Sequence, residues 1–201
     1  MTVLVITGGI GSGKTSACRF LEKEYGWPVY CADERVKGLY NSSPDLLDRI
    51  EVLLNRKFTD EEGRFVPSLL ASVIFSDRES LEKVEGLVFP ELTSDFDRWK
   101  SEHQGCSHVI LESATILEKP SLRCLGDITV LIDAPVDERA RRAASRDAAT
   151  KESVLRRMDN QNLMNSISNG LVLADVDHVI INDSTEEELY SKLRIFAENL
   201  L

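Results

Sequence analysis

The chain is short of the residues that mark several functional classes. Histidine occurs 3 times and cysteine 4 times in 201 residues. His103, His108 and His178 are scattered, so core or surface positions fit them better than a shared metal ion. Cys18, Cys31, Cys106 and Cys124 form no C-x-x-C spacing, which argues against zinc ribbons and dithiol motifs. Free thiols of this kind fit the reducing cytoplasm. Basic residues are outnumbered, 24 Lys and Arg against 34 Asp and Glu, for a formal charge of −10. That balance argues against general affinity for nucleic acid or for an anionic membrane surface. It leaves room for a local basic site that holds a phosphorylated small molecule. No apolar run approaches the ~18 residues of a membrane span, and no basic, apolar leader precedes the first strand. The sequons at Asn41 and Asn182 carry little weight without secretion. What remains is an ordinary soluble composition, 42% hydrophobic and 29% charged. Its length supports one substantial core, so one domain with insertions is expected over two.

Against these absences stands one dense motif. Gly8-Gly9-Ile10-Gly11-Ser12-Gly13-Lys14-Thr15 fits G-x-x-x-x-G-K-[ST], the phosphate-cradling loop of nucleotide-binding α/β proteins. The context also fits: Val3-Leu4-Val5-Ile6 reads as a buried parallel strand, and Ser16 to Tyr25 as a helix opening at the loop. Glycines let backbone N–H groups approach phosphate, and the helix N-terminus adds donors and partial positive charge. A nucleotide's phosphates are the expected ligand, with Gly11, Ser12, Gly13, Lys14, Thr15 and Ser16 around them. Lys14 would reach the β- and γ-phosphates and Thr15 would offer its hydroxyl to Mg²⁺. The loop alone does not say where the phosphoryl group goes. A small-molecule or nucleoside monophosphate kinase carries such a loop, and so does a nucleotide-gated binding protein with little turnover.

The rest of the chain reads as strands alternating with helices. Trp27 to Cys31, His108 to Glu112, Ile128 to Asp133 and Val179 to Asn182 join the first strand in an expected five-stranded parallel sheet. Asp45 to Lys57 is amphipathic, with Leu46, Leu47, Ile50, Leu53 and Leu54 at helical spacing. Pro67 to Phe75 and Asp77 to His103 read as further helices, with Pro90 starting or kinking one of them. This helical stretch is either an inserted substrate-side subdomain or a covering layer. Lys151 to Met164 and Glu186 to Leu200 are also expected to be helical.

Three groups of polar residues are candidates for chemistry. Asp33 follows the second strand at the carboxyl edge that lines the crevice of open α/β sheets. It could cap the next helix, act as a general base, or do both. Glu112 and Asp133 each end an apolar strand, and either could serve the magnesium. Arg139, Arg142 and Arg146 fall on one helical face by i,i+3 and i,i+4 spacing. That face is either a solvated, salt-bridged surface or a lid whose guanidiniums close over the triphosphate.

The order of motifs resembles dephospho-CoA kinases. The resemblance rests on the loop, Tyr30-Cys31-Ala32-Asp33, Val88-Phe89-Pro90, Leu111-Glu112-Ser113-Ala114-Thr115-Ile116-Leu117-Glu118, Arg142-Ala143-Ala144-Ser145-Arg146-Asp147 and Gln161. It implies a P-loop kinase fold: α/β, a five-stranded parallel sheet flanked by helices, a helical substrate-side insertion and a lid. The implied extents are a core of about 1–57, 107–138 and 170–201, an insertion of about 58–106 and a lid of about 139–169. The implied reaction moves the γ-phosphoryl of ATP to the ribose 3′-hydroxyl of dephospho-CoA, in a cytoplasmic monomer or small homo-oligomer. Carried over by position, Lys14, Asp33 and Arg142 are catalytic, with Asp33 the base. Arg142 and Arg146 bind ATP from the lid. Asp33, Lys37, Phe89 and Glu118 contact the acceptor, and Thr15 with Glu112 serves the metal, which is why Glu112 is preferred over Asp133. The chain departs from the family pattern at Cys31 (usually Asp), Lys37 (commonly Arg), Phe89 (His) and Ala114 (Pro).

Overall fold

The computed structural model describes residues 1–159 and 175–201. Gln161 and the far ends of the expected lid helix and lid therefore lie outside the described residues. The chain divides into two compact units, Met1–Cys31 with His103–Leu201, and Ala32–Glu102.

The first unit is built on five parallel strands in the order β2-β3-β1-β4-β5. They are β1 (Thr2–Thr7), β2 (Val29–Cys31), β3 (His108–Glu112), β4 (Ile128–Asp133) and β5 (His178–Ile181). The near-continuous Val, Ile and Leu runs are what strands covered on both faces require. Strand β1 is central, and its register aligns Ile6 with Glu112 and Thr7 with Leu131. That alignment places Glu112 at the same carboxyl edge from which the glycine-rich loop leaves β1. The loop leads into α1 (Lys14–Tyr25), which ends on the left-handed Gly26. Helix α9 (Glu186–Glu198) packs with α1, and Leu4, Ile6, Leu21, Leu193 and Phe196 share one buried cluster. Each such side chain taken fully out of water contributes roughly 1.5–3 kcal/mol. A 3₁₀ turn (Ile116–Glu118) and α6 (Pro120–Arg123) follow β3; α7 (Val136–Asp147) and α8 (Lys151–Asp159) follow β4.

The second unit is helical: α2 (Ala32–Ser42), α3 (Pro44–Leu54), α4 (Pro67–Ile74) and α5 (Arg78–Glu102). The stretch expected from Asp77 to His103 is one 25-residue helix that passes through Pro90 without ending. Pro90 is exposed, so the backbone bond it forfeits lies at the solvent side. Leu46, Leu47 and Ile50 of α3 share a buried cluster with Val84 and Val88 of α5. The unit therefore begins at Ala32, whereas the expected insertion starts near residue 58 and leaves α2 and α3 with the core. An amphipathic helix carries the same pattern whichever core it covers, so its owner is decided by packing.

Candidate active site

Between β1 and α1 the loop turns tightly, with Ser12 N–H donating to the Gly9 carbonyl at 3.1 Å. Gly13 holds φ at +102°, a left-handed conformation that L side chains rarely adopt, and Lys14 then opens α1. Its N-cap, Gly13, offers no side-chain cap, and a helix N-terminus of this kind suits an anion. Behind the loop, Arg139 Nε donates to the Ile10 carbonyl at 3.1 Å, and Asn182 Nδ2 donates to the Ser12 carbonyl at 2.8 Å. A Cβ at Gly11 would strike the backbone carbonyl of Arg139, so glycine there is demanded by close approach, whereas one at Gly9 would meet the movable end of the Arg139 side chain. The Ser12 hydroxyl is enclosed and has no hydrogen-bond partner among the described residues. Lys14 and Ser16 are half-buried and Thr15 is exposed.

At the carboxyl edge of β3, Glu112 collects two donors. Thr15 Oγ1 donates to its Oε1 at 3.1 Å, and Cys31 Sγ donates to its Oε2 at 3.3 Å. A hydroxyl and a carboxylate in contact supply the hard oxygen donors that magnesium prefers. No group of three or more His, Cys, Asp or Glu suited to a metal occurs among the described residues. Magnesium characteristically takes one or two protein oxygens and completes its shell with water and substrate phosphates, so Thr15 with Glu112 fits it. The rival carboxylate, Asp133, lies 3.7 Å from Arg139 Nη1 and is engaged there. Buried Cys18 has its thiol pushed well up, first by burial and then by the charge of Glu112.

The arginine face of α7 is not the uniform surface its spacing implied. Arg139 is 0% exposed and sits under the loop, so it is no part of a solvent-facing lid. Desolvation lowers its pKa, opposed by Asp133. Arg142, one turn on, donates from Nη1 to the Asn182 carbonyl at 2.9 Å and from Nη2 to the Ser184 carbonyl at 3.3 Å. Arg146 pairs with Asp147 at 2.7 Å, and Arg157 of α8 reaches the same carboxylate at 2.7 Å. Their hydrogen bonds hold Asp147 well below the usual carboxylate range. Glu118 is half-buried at the end of the 3₁₀ turn after β3.

In the second unit, Asp33 is the second residue of α2, within its first turn and not ahead of it as a cap. A carboxylate there still favours the helix dipole. Asp33 and Lys37 are exposed and spaced i,i+4, which puts them on one face of α2. Phe89 is half-buried against the apolar cluster of α3 and α5. The first unit thus brings together the loop, Thr15, Glu112 and Arg139, while Asp33, Lys37 and Phe89 belong to the second. Sequence reasoning missed the roles of Arg139 and Asn182 behind the loop. For Asn182 the available signal was a polar residue directly after the apolar strand β5, where a buried loop carbonyl needs a donor; Arg139, inside α7, carried no such signal.

A family model described as dephospho-CoA kinase matches residues 2–188. A dephospho-CoA kinase of Porphyromonas gingivalis is 35% identical, over 90% of this chain and 86% of its own. One from Salinibacter ruber is 31% identical, over 96% of this chain and 94% of its own. The solved structure of the Campylobacter jejuni dephospho-CoA kinase is 16% identical and has a TM-score of 0.65 over 98% of this chain and 96% of that one, a likeness of P-loop kinase fold. Carried by a match over nearly the whole length, this chain belongs to the dephospho-CoA kinase family.

Proposed function

We propose that the chain transfers the γ-phosphoryl of ATP to the ribose 3′-hydroxyl of dephospho-CoA, giving CoA and ADP. The observation that carries the site assignment is the contact between Thr15 and Glu112 at the mouth of the glycine-rich loop. Loop N–H groups and Lys14 hold the β- and γ-phosphates, with Gly11, Ser12, Gly13 and Ser16 around them. Thr15 and Glu112 hold Mg²⁺, which when bound neutralises phosphate charge. Asp33 accepts the proton of the attacking 3′-hydroxyl. The new bond joins that oxygen to phosphorus, the β–γ bridge breaks, and its electron pair leaves with ADP. Arg142 and Arg146 exchange their present carbonyl and carboxylate partners for the triphosphate as the lid closes, which excludes water and favours transfer over hydrolysis. Positioning and charge neutralisation supply most of the acceleration.

The second unit, with Asp33, Lys37 and Phe89, serves as the acceptor-side insertion, and Glu118 contributes from beside β3. A cytoplasmic location and a monomer or small homo-oligomer complete this reading; no helix among the described residues is long and apolar enough to cross a membrane. The test is ADP release with Mg-ATP against dephospho-CoA, AMP and CMP. Release that depends on dephospho-CoA alone is expected. Release driven by AMP or CMP would reassign the acceptor, and ATP binding without acceptor-dependent release would make the loop a switch.

A further inference from the structure

The phosphate loop is gripped from behind at two carbonyls, and one of the grips is a charged side chain wholly removed from water. Arg139 comes from α7 and Asn182 from the end of β5, so two elements distant in sequence converge on one turn. Arg139 Nε takes the Ile10 carbonyl and Asn182 Nδ2 takes the Ser12 carbonyl. These two carbonyls alternate with the peptide N–H groups of the loop. Holding them to the rear turns the intervening N–H groups forward, as a nest for an anion requires. The glycine at position 11 is the steric record of how closely α7 lies under the loop, because the Arg139 backbone carbonyl occupies the place of its Cβ. The clamp is itself held: Asp133 lies beside the Arg139 guanidinium at 3.7 Å and accepts the Asn182 N–H at its backbone carbonyl at 2.6 Å. Burying a guanidinium is costly unless its charge is compensated and its donors used. Asp133 and the Ile10 carbonyl supply part of that compensation, while Nη2 is a buried donor with no hydrogen-bond partner among the described residues; a bound triphosphate would add to the compensation.

We infer that Arg139, together with Asn182, is a positioning residue for nucleotide binding, which presets the loop for the polyphosphate and keeps positive charge beneath it. It touches neither acceptor nor transferring phosphorus. The inference rests on the loop being the ATP site, as proposed above, but not on the identity of the acceptor.

The experiment measures affinity for ATP and for inorganic tripolyphosphate by calorimetry on the full chain, alongside KM for both substrates and the thermal midpoint. Arg139→Met is expected to weaken ATP and tripolyphosphate alike, by about 10-fold or more, while leaving KM for the acceptor unchanged. Asn182→Ala is expected to act in the same direction. Arg139→Gln keeps an N–H donor without charge. Its recovery of most of the affinity would assign the effect to the carbonyl tie, and partial recovery would assign the remainder to the charge. Unchanged polyphosphate affinity in Asn182→Ala and Arg139→Gln, with Arg139→Met either unchanged or unfolded, overturns the clamp. Equal loss for both substrates, tracking thermal stability and not recovered by Gln, overturns it in favour of a fold-stability role. Wild-type chain that binds tripolyphosphate but phosphorylates no dephospho-CoA would sink the proposed acceptor and leave the clamp test intact.

Discussion

The two units carry their functional residues by different means. In the first, the loop is fixed by buried donors on its own carbonyls, Arg139 at Ile10 and Asn182 at Ser12. In the second, Asp33 and Lys37 stand exposed on α2, and Phe89 leans on an apolar cluster. That unit also buries Glu51, which accepts from the Phe58 N–H at 2.8 Å, but its surface pairs, such as Arg49 with Glu91 at 3.1 Å, are each worth no more than about 1 kcal/mol. The difference follows from the ligands proposed for each side. A triphosphate offers compact oxygens that reward N–H groups held at fixed spacing, so rigidity behind the loop is useful. A long, flexible acceptor is better met by a helical face whose side chains can adjust.

The sharpest way to break this comparison is to remove one charge from each side. Lys14→Ala should abolish transfer, by ~10³-fold or more, and weaken ATP binding as well, because the lysine acts on charge that grows in the transition state. Asp33→Asn should lower kcat by ~10²-fold or more and leave ATP affinity where it was. Steady-state kinetics paired with calorimetry separates the two. Wild-type turnover in Asp33→Asn would remove it from proton transfer and reduce it to a helix-dipole residue.

A smaller effect is expected at the metal. Glu112→Gln keeps shape and an acceptor oxygen but loses the charge that faces Thr15, so the Mg²⁺ needed for half-maximal rate should rise about 10-fold or more. The readout is a magnesium titration at saturating ATP, together with metal binding to the nucleotide-free chain. An unshifted titration would hand the role to another carboxylate. Asp133→Asn is then the informative companion, since Asp133 is engaged with Arg139 and should affect nucleotide affinity more than metal demand.

How much was legible in the sequence differs between the units for the same physical reason. The loop is contiguous, and each of its residues acts through local backbone geometry, so it could be read off eight positions, with the strand before it in Val3 to Ile6 and the helix after it from Ser16. The five parallel strands were legible because burial on both faces leaves unbroken apolar runs. The carbonyl ties were not, since Arg139 acts on a residue 129 positions away and Asn182 on one 170 positions away. Arginine spacing on α7 correctly put three guanidiniums on one helical face, but which of them is buried depends on what α7 packs against. The assignment of α2 and α3 was likewise hidden, because amphipathicity states that a core exists and not whose it is. Cys31 stands where the resemblance led one to expect a carboxylate. The structure accommodates the change by giving the thiol a donor role toward Glu112 at 3.3 Å.

The smallest effect belongs to Phe89, where family resemblance and packing pull apart. The resemblance puts position 89 on the acceptor side, with histidine the usual residue, whereas the packing puts the ring against the apolar cluster of its own unit. Phe89→Leu retains most of the apolar contact, so the unfolding free energy from urea denaturation should fall by no more than about 1.5 kcal/mol. If the ring also lines the acceptor site, KM for dephospho-CoA should rise several-fold while KM for ATP holds, because a planar face is lost that a branched chain does not replace. A KM unchanged for both substrates would leave Phe89 as packing alone. The acceptor would then be held through Asp33, Lys37 and Glu118, and the exposed face of α2 would become the place to look for its specificity.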